Sequence, residues 1–285
     1  MRTLLSLACV AALAGCAIIV TPNDDVQVHS VFSSDGVAGD GRITSDQRPV
    51  SNLASLDVSG PMQVDVRVGG APGLQIEADA NLLPMIRSEV AGDTMRIWID
   101  GQVKPSQPIR ISYSVPKLTH LRATGSGRTD VSGLNGAPLT FVKTGSGKTQ
   151  LSGNVGNLDV RSTGSGMVDA IGLRSTSAHA SLVGSGRIML GEVHGDQLTA
   201  HVRGSGDVEA SGAVQTLNAS VHGSGDVHVS RVTAQRADLS TNGSGDISAL
   251  VKQSLVANGN GSGRITVHGN PNQRNVSGKH INVLN

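Results

Sequence analysis

A three-residue phrase recurs eight times at a nearly fixed period. Gly-Ser-Gly stands at 125–127, 145–147, 164–166, 184–186, 204–206, 223–225, 243–245 and 261–263. Successive copies begin 20, 19, 20, 20, 19, 20 and 18 residues apart. A repeat of this length marks a solenoid, in which each copy is one coil that cannot bury its apolar face until its neighbours stack on it.

The residues around the phrase give the shape of the coil. With its first Gly as position zero, apolar residues fill position −6 (Leu139, Leu158, Ala178, Leu198, Leu217, Ala237, Leu255) and position −4 (Leu121, Phe141, Val160, Ala180, Ala200, Ala219, Leu239, Ala257). Positions +4 and +6 are mostly Val, Ile, Leu and Ala, as at Ile188 and Leu190. The odd positions carry Asp, Arg, Lys, Asn, His, Ser and Thr. A period of two is that of a strand with one dry face and one wet face. Stacked at about 4.8 Å, eight coils make a rod about 40 Å long with a thin aliphatic interior. The gap from +6 to the next −6 varies between 6 and 8 residues and holds Gly133, Gly153, Gly172 and Gly212. It reads as the corner and short third side, with a recurring apolar residue (Leu134, Val155, Leu173, Val193, Val214, Val232, Val251).

The paired glycines are Gly125 and Gly127, Gly145 and Gly147, Gly164 and Gly166, Gly184 and Gly186, Gly204 and Gly206, Gly223 and Gly225, Gly243 and Gly245, and Gly261 and Gly263. They fall on the inward parity, with Ser pointing out. Two structural roles fit: a bend that a Cβ would forbid, or close approach of the opposite wall. The eight serines form a hydroxyl ladder and not a catalytic set, because a nucleophile is needed once.

The rest of the chain frames this array. Residues 1–15 read as a signal peptide: Arg2, then an apolar stretch from Leu4 to Ala14 that is too short to span a bilayer. Leu13-Ala14-Gly15-Cys16 resembles the bacterial lipobox, which implies cleavage before Cys16 and a lipid on it. Ala17 follows where Asp would resemble an inner-membrane retention signal, so the expectation is the outer membrane, on either its surface or its periplasmic face. Residues 16–48 read as the lipidated Cys and a flexible tether, with a short strand at Val26–Phe32. Residues 49–285 read as the β-helix: atypical N-terminal coils or a cap over 49–117, the eight repeats over 118–268, and a C-terminal cap over 269–285. Within the first part, Asn81 is expected to N-cap a short helical turn over 81–86.

Composition agrees with a thin solenoid. Gly is 37 of 285 residues, and the only aromatics are Phe32, Trp98, Tyr113 and Phe141. The 23 Lys and Arg against 22 Asp and Glu leave zero net charge once Arg2 is removed, so nothing drives the chain toward nucleic acid. Cys9 lies in the signal and Cys16 carries lipid, so the mature chain has no thiol for a disulfide, a metal or catalysis.

Several of these stretches together resemble one family. They are Leu53–Gly60 followed by Val64-Asp65-Val66, the Asp79-Ala80-Asn81-Leu82-Leu83 turn, Pro116-Lys117-Leu118 before the first Gly-Ser-Gly, the two Gly-Ser-Gly-Asp-Val copies, and the closing Gly-Asn-Pro and Val-Ser-Gly. Over about residues 41–280 the chain is similar to the head GIN domain family, DUF2807, labelled an auto-transporter adhesin. The resemblance implies a single-stranded right-handed parallel β-helix in a bacterial envelope protein, and no established activity. No stretch reads as the membrane β-barrel of an autotransporter, so that part of the label is not expected to carry over.

Motifs for chemistry are scarce. Gly147-Lys148-Thr149 ends like a phosphate-binding loop, but Val142 stands where the first Gly is required, so no nucleotide site is expected. No Gly-x-Ser-x-Gly elbow is present. The calcium-binding nonapeptide repeats have the wrong period and place Asp differently. Position +3 runs Arg128, Lys148, Met167, Arg187, Asp207, Asp226, Asp246, Arg264. Three stacked Asp about 4.8 Å apart repel unless screened or bridged. They read either as a solvated charge column or as a divalent-cation or sugar site. His179, His201, His222 and His228 occupy four different columns, so stacked zinc ligands are not expected. The functional expectation is a non-catalytic envelope lipoprotein that presents a rigid rod and needs no cofactor. It would be held to a membrane by its lipid and partnered by an envelope protein or a glycan. The alternative is a glycan-binding or polysaccharide-active β-helix using the Asp207, Asp226 and Asp246 face with a divalent cation.

Overall fold

The computed structural model describes residues 36–284. The expected signal peptide, Cys16 and the expected strand at Val26–Phe32 lie outside them. The first part of the chain forms β1 (Val37–Ala38), β2 (Ile43–Arg48), β3 (Ser55–Ser59), β4 (Gln63–Val68) and β5 (Gly73–Asp79), a 3-10 turn at Leu83–Met85, then β6 (Ile86–Ala91), β7 (Thr94–Ile99), β8 (Val103–Lys104) and β9 (Arg110–Val115). The repeats supply β10 (His120–Thr124), β11 (Arg128–Gly136), β12 (Leu139–Thr144), β13 (Lys148–Gly164), β14 (Met167–Gly184), β15 (Arg187–Gly204), β16 (Asp207–Gly223), β17 (Asp226–Gly243), β18 (Ile247–Gly261) and β19 (Ile265–His268). The chain closes with β20 (Gln273–Gly278) and β21 (Ile281–Leu284).

The repeats stack as a parallel β-solenoid, with like residues in register. Ala180 lies against Ala200, Ala200 against Ala219 and Ala219 against Leu239. The −6, −4 and +6 columns and the third-side residues from Leu134 to Val251 are buried in one continuous core. A fully buried Leu or Val stabilises by roughly 1.5–3 kcal/mol, so the ladders carry the fold. The inward parity also continues at position −2, which the apolar pattern did not disclose. Lys143 and Ser162 are inside there, 2% and 1% exposed, beside Leu182 and Val202. Thr241 in the same column is satisfied by donating across the turn to the Gly245 carbonyl (2.9 Å). The hydroxyls of Ser162 and, at +4, Thr149 are buried without a protein partner.

Each glycine of the phrase has its own job. The first has φ between 109° and 133°, so it makes the bend. The second has no such φ, but a Cβ on it would come within 2.6 Å of an atom of the coil below. That atom is the carbonyl oxygen of the equivalent residue beneath, or for Gly166 also the Lys143 stem. The close approach is therefore to the neighbouring coil rather than to the opposite wall. The coils are also hydrogen-bonded here: Ser205 and Gly206 N–H both donate to the Gly184 carbonyl, at 2.9 and 3.0 Å.

The order of coils in space differs from their order in the chain. β3 and β4 form a coil paired upward with β10 and β11. Their other edges pair with β7 and β9, which come later in the sequence. The chain thus makes one coil, drops beneath it, and returns past it into the repeats. β6 then lies antiparallel to β7, β5 antiparallel to β9, and β2 antiparallel to β5. These antiparallel strands end the parallel stack.

Two expectations are corrected in this cap. Residues 37–48, read from sequence as the end of the tether, are folded. β2 pairs with β5 along its whole length, and β1 pairs with β8. Their polar, Gly-rich composition hid an edge strand exposed on most of its length. Asn81 does not cap the 3-10 turn, whose N-cap is Leu82 with no side-chain bond. Asn81 instead donates to the Ala38 carbonyl (2.7 Å) and accepts from Asp40 N–H (3.0 Å). At the other end β20 pairs with β18 and β21 with β19, while Ile281 and Val283 pack on the core.

Candidate functional site

The Ser column of the phrase is exposed in all eight coils and forms a ridge along the rod. Its regularity follows from the bend beneath it, and from Ser185 onward each serine N–H donates to the Gly carbonyl of the coil before.

The Asp column is in register, with Asp207 against Asp226. Its carboxylates already have partners. Asp207 accepts from Arg187 Nη2 at 2.7 Å. Asp226 accepts the N–H of Asp246 (2.8 Å), and Asp246 accepts the N–H of Arg264 (2.7 Å). Two of the three thus satisfy backbone donors in the next coil, which relieves the like-charge problem without an ion. No group of three or more His, Cys, Asp or Glu able to hold a metal occurs among the described residues. Further along the rod, bases at +3 pair with acids at +5: Arg128 with Asp130 (2.6 Å) and Lys148 with Asp169 (3.7 Å).

The histidines behave differently from the column argument. His179 and His201 sit on a diagonal between adjacent coils, and their rings meet edge to face at 5.6 Å. His201 Nδ1 lies 2.6 Å from the Ser220 hydroxyl. Burial lowers the proton affinity of His201, and His179, His222 and Arg203 lower it further. Sequence reasoning compared residues within a column and so missed diagonal neighbours.

A groove of about 680 Å³ lies over the cap and is lined by Gln47, Asp65, Arg67, Gln75, Ser112 and Ser114 among others. Pairing places Gln47, Gln75, Ser112, Asp65, Asp130 and Gln150 in one outward row across β2, β5, β9, β4, β11 and β13. No sequence signal announces this row, because it crosses strands out of chain order. Its amides, hydroxyls and carboxylates suit recognition of polar ligands and include no activated nucleophile. No helix among the described residues is long and apolar enough to cross a membrane.

A family profile, that of DUF2807, described as "Putative auto-transporter adhesin, head GIN domain", matches residues 52–191 and 175–271. The chain belongs to the head GIN domain family. The family description is that of an adhesin, a binding role and not an enzymatic one. Among solved structures, the chain is similar to a putative adhesin from Parabacteroides merdae, with TM-score 0.68 and 18% identity over 88% of this chain and 100% of that one. A protein from Parabacteroides distasonis described as a putative lipid binding protein matches with TM-score 0.67 and 24% identity, at the same coverages. A putative adhesin from the same organism matches with TM-score 0.64 and 21% identity, again over 88% and 100%. At these identities the likeness establishes the head GIN β-solenoid and nothing finer. No curated protein matches the sequence.

Proposed function

We propose that this head GIN protein is a non-catalytic cell-envelope lipoprotein that holds a rigid, repetitive surface away from a membrane for adhesion or scaffolding. The observation carrying this reading is the hydrogen-bonded stacking of the phrase, in which Ser and Gly N–H groups of one coil share the Gly carbonyl of the coil before, as at Ser224 and Gly225 on Gly204 (both 2.9 Å). Such a stack resists bending and repeats its outer columns in register, which favours display over the closure of a lid on a substrate. Anchoring is assigned to Cys16, with residues 17–35 as the spacer and the outer membrane as the site of attachment. An envelope protein or a glycan is the partner; nucleic acid and nucleotides are not.

Protease digestion of intact cells tests this, comparing wild type with Cys16→Ser. Surface display predicts digestion of the wild type from outside and release or mislocalisation of the variant. Protection until the outer membrane is permeabilised would remove the adhesion reading and leave an internal scaffold. A variant that still fractionates with the membrane would remove the lipid anchor.

A further inference from the structure

The outer face of the cap carries the only tryptophan of the chain on the wet side of a strand. In β7 the buried residues are Met95 and Ile97, so the alternation turns Trp98 outward, where it is partly exposed. In the coil above, its in-register neighbour is Ser59, and the column continues as Thr124, Thr144 and Thr163. Small hydroxylic residues therefore keep this column low on one side of the indole, and Arg87 of β6 stands opposite it on the other.

The indole borders a groove of about 280 Å³ whose other walls include Asp57, Glu89 and Arg96. Asp57 and Arg96 also line a second groove of about 430 Å³, which continues over His120 and Arg122. The charges along this line are loosely paired. Arg96 stands 3.7 Å from Glu89, and Arg122 stands 3.8 Å from Asp57, both too far for a full hydrogen bond. Their donors and acceptors remain free for a ligand's hydroxyls.

We propose that this strip is a glycan-binding site, with a sugar ring stacked on Trp98 and its hydroxyls held by Asp57, Glu89 and Arg96. The chemistry is specific to that class. The C–H face of a pyranose is apolar and packs on an aromatic face, while its rim of hydroxyls needs the mixed donors and acceptors that carboxylates and a guanidinium supply. The first groove has room for about one ring, and the second carries the chain on toward His120 and Arg122, where strand spacing of about 4.8 Å is close to the length of one sugar unit. The site needs no metal and lies apart from the Asp207, Asp226 and Asp246 column. It rests on the reading of the rod as a binding surface, but its test is made in solution and so fails separately from the test on cells.

Because Trp98 is the only tryptophan, its fluorescence reports this groove alone. The full-length protein is titrated with cellohexaose, chitohexaose, a linear mannan and an oligogalacturonate. The expected result is a saturable change in tryptophan emission with at least one of the four. Asp57→Asn and Arg96→Gln should each weaken that titration by about tenfold or more, the scale of one lost charge-assisted hydrogen bond. Trp98→Ala is followed by retardation in a gel containing the same polymer, with circular dichroism checking the fold, and should lose the retardation. Emission unchanged by all four probes to millimolar concentration overturns the proposal. So does a change that both Asp57→Asn and Arg96→Gln leave intact.

Discussion

Gly206 stands directly over Gly186, and a Cβ on the upper residue would overlap the carbonyl oxygen of the lower one. The same carbonyl accepts the N–H of Asp207 at 3.1 Å, so it cannot move aside without breaking a bond between coils. Gly206→Ala should therefore cost about 1–3 kcal/mol, the usual range for forcing a methyl into a packed site. The neighbouring Ser205→Ala, on an exposed residue, should stay within about 0.5 kcal/mol. Thermal unfolding followed by circular dichroism checks the pair. Equal melting temperatures for the two variants would contradict the close-approach role.

Asp79 fastens the start of the folded chain to the cap. It is fully buried. Its carboxylate accepts from the Ser106 hydroxyl (2.5 Å), Ser106 N–H (2.9 Å) and Gly41 N–H (2.9 Å). The Ser106 hydroxyl, helped by the backbone N–H groups and opposed by burial, holds the carboxyl below its ordinary value. The folded state prefers the ionised form, so this stabilisation is present above the unfolded value near 3.8 and is lost as pH falls through the lower folded one. Asp79→Ala should free residues 36–48 first. Limited proteolysis checks this: cleavage should appear within that arm in the variant at neutral pH, with the repeats intact.

The repeat array was legible because a 20-residue period with alternating parity leaves few ways to bury Leu198, Ala200, Ile188 and Leu190 together. The third side was legible for the same reason, through Leu173, Val193 and Val214. The cap was not. β7 and β9 lie below β3 and β4 although they follow them in the chain, and no local pattern encodes that inversion. Asn81 misled because its side chain bonds to residues about forty positions earlier instead of to the turn beside it. Lys143 was invisible as an inward residue because parity was judged on apolar columns. The Asp column was legible as a stack, but its bonds to the backbone of the next coil depend on side-chain geometry.

Lys143 gives a prediction of its own. Burial lowers its proton affinity below the ordinary lysine value of 10.5. The unfolded chain therefore binds this proton more readily than the folded one, and the penalty is present in full below the lowered folded value, shrinking as pH rises from there to the unfolded value. Lys143→Met keeps the stem and removes the charge, and it should raise the melting temperature at pH 7. The gain should diminish as pH rises through the alkaline range. A lower melting temperature for the variant at pH 7 would mean that the ammonium group is satisfied inside the coil.

His201 adds a pH dependence at higher pH than Asp79. Its proton affinity is depressed first by burial and then by His179, His222 and Arg203. A histidine depressed in the folded state stabilises fully above the unfolded value of 6.5, and that contribution is lost as pH falls through the folded one. Between pH 7.5 and 5, wild type should lose stability while His201→Gln loses less, because glutamine can still meet the Ser220 hydroxyl but takes no proton. The window lies above that of Asp79, so the two effects separate on one pH series of melting curves. Parallel curves for wild type and His201→Gln between pH 7.5 and 5 would show that the ring takes up its proton in the folded state as easily as in the unfolded chain.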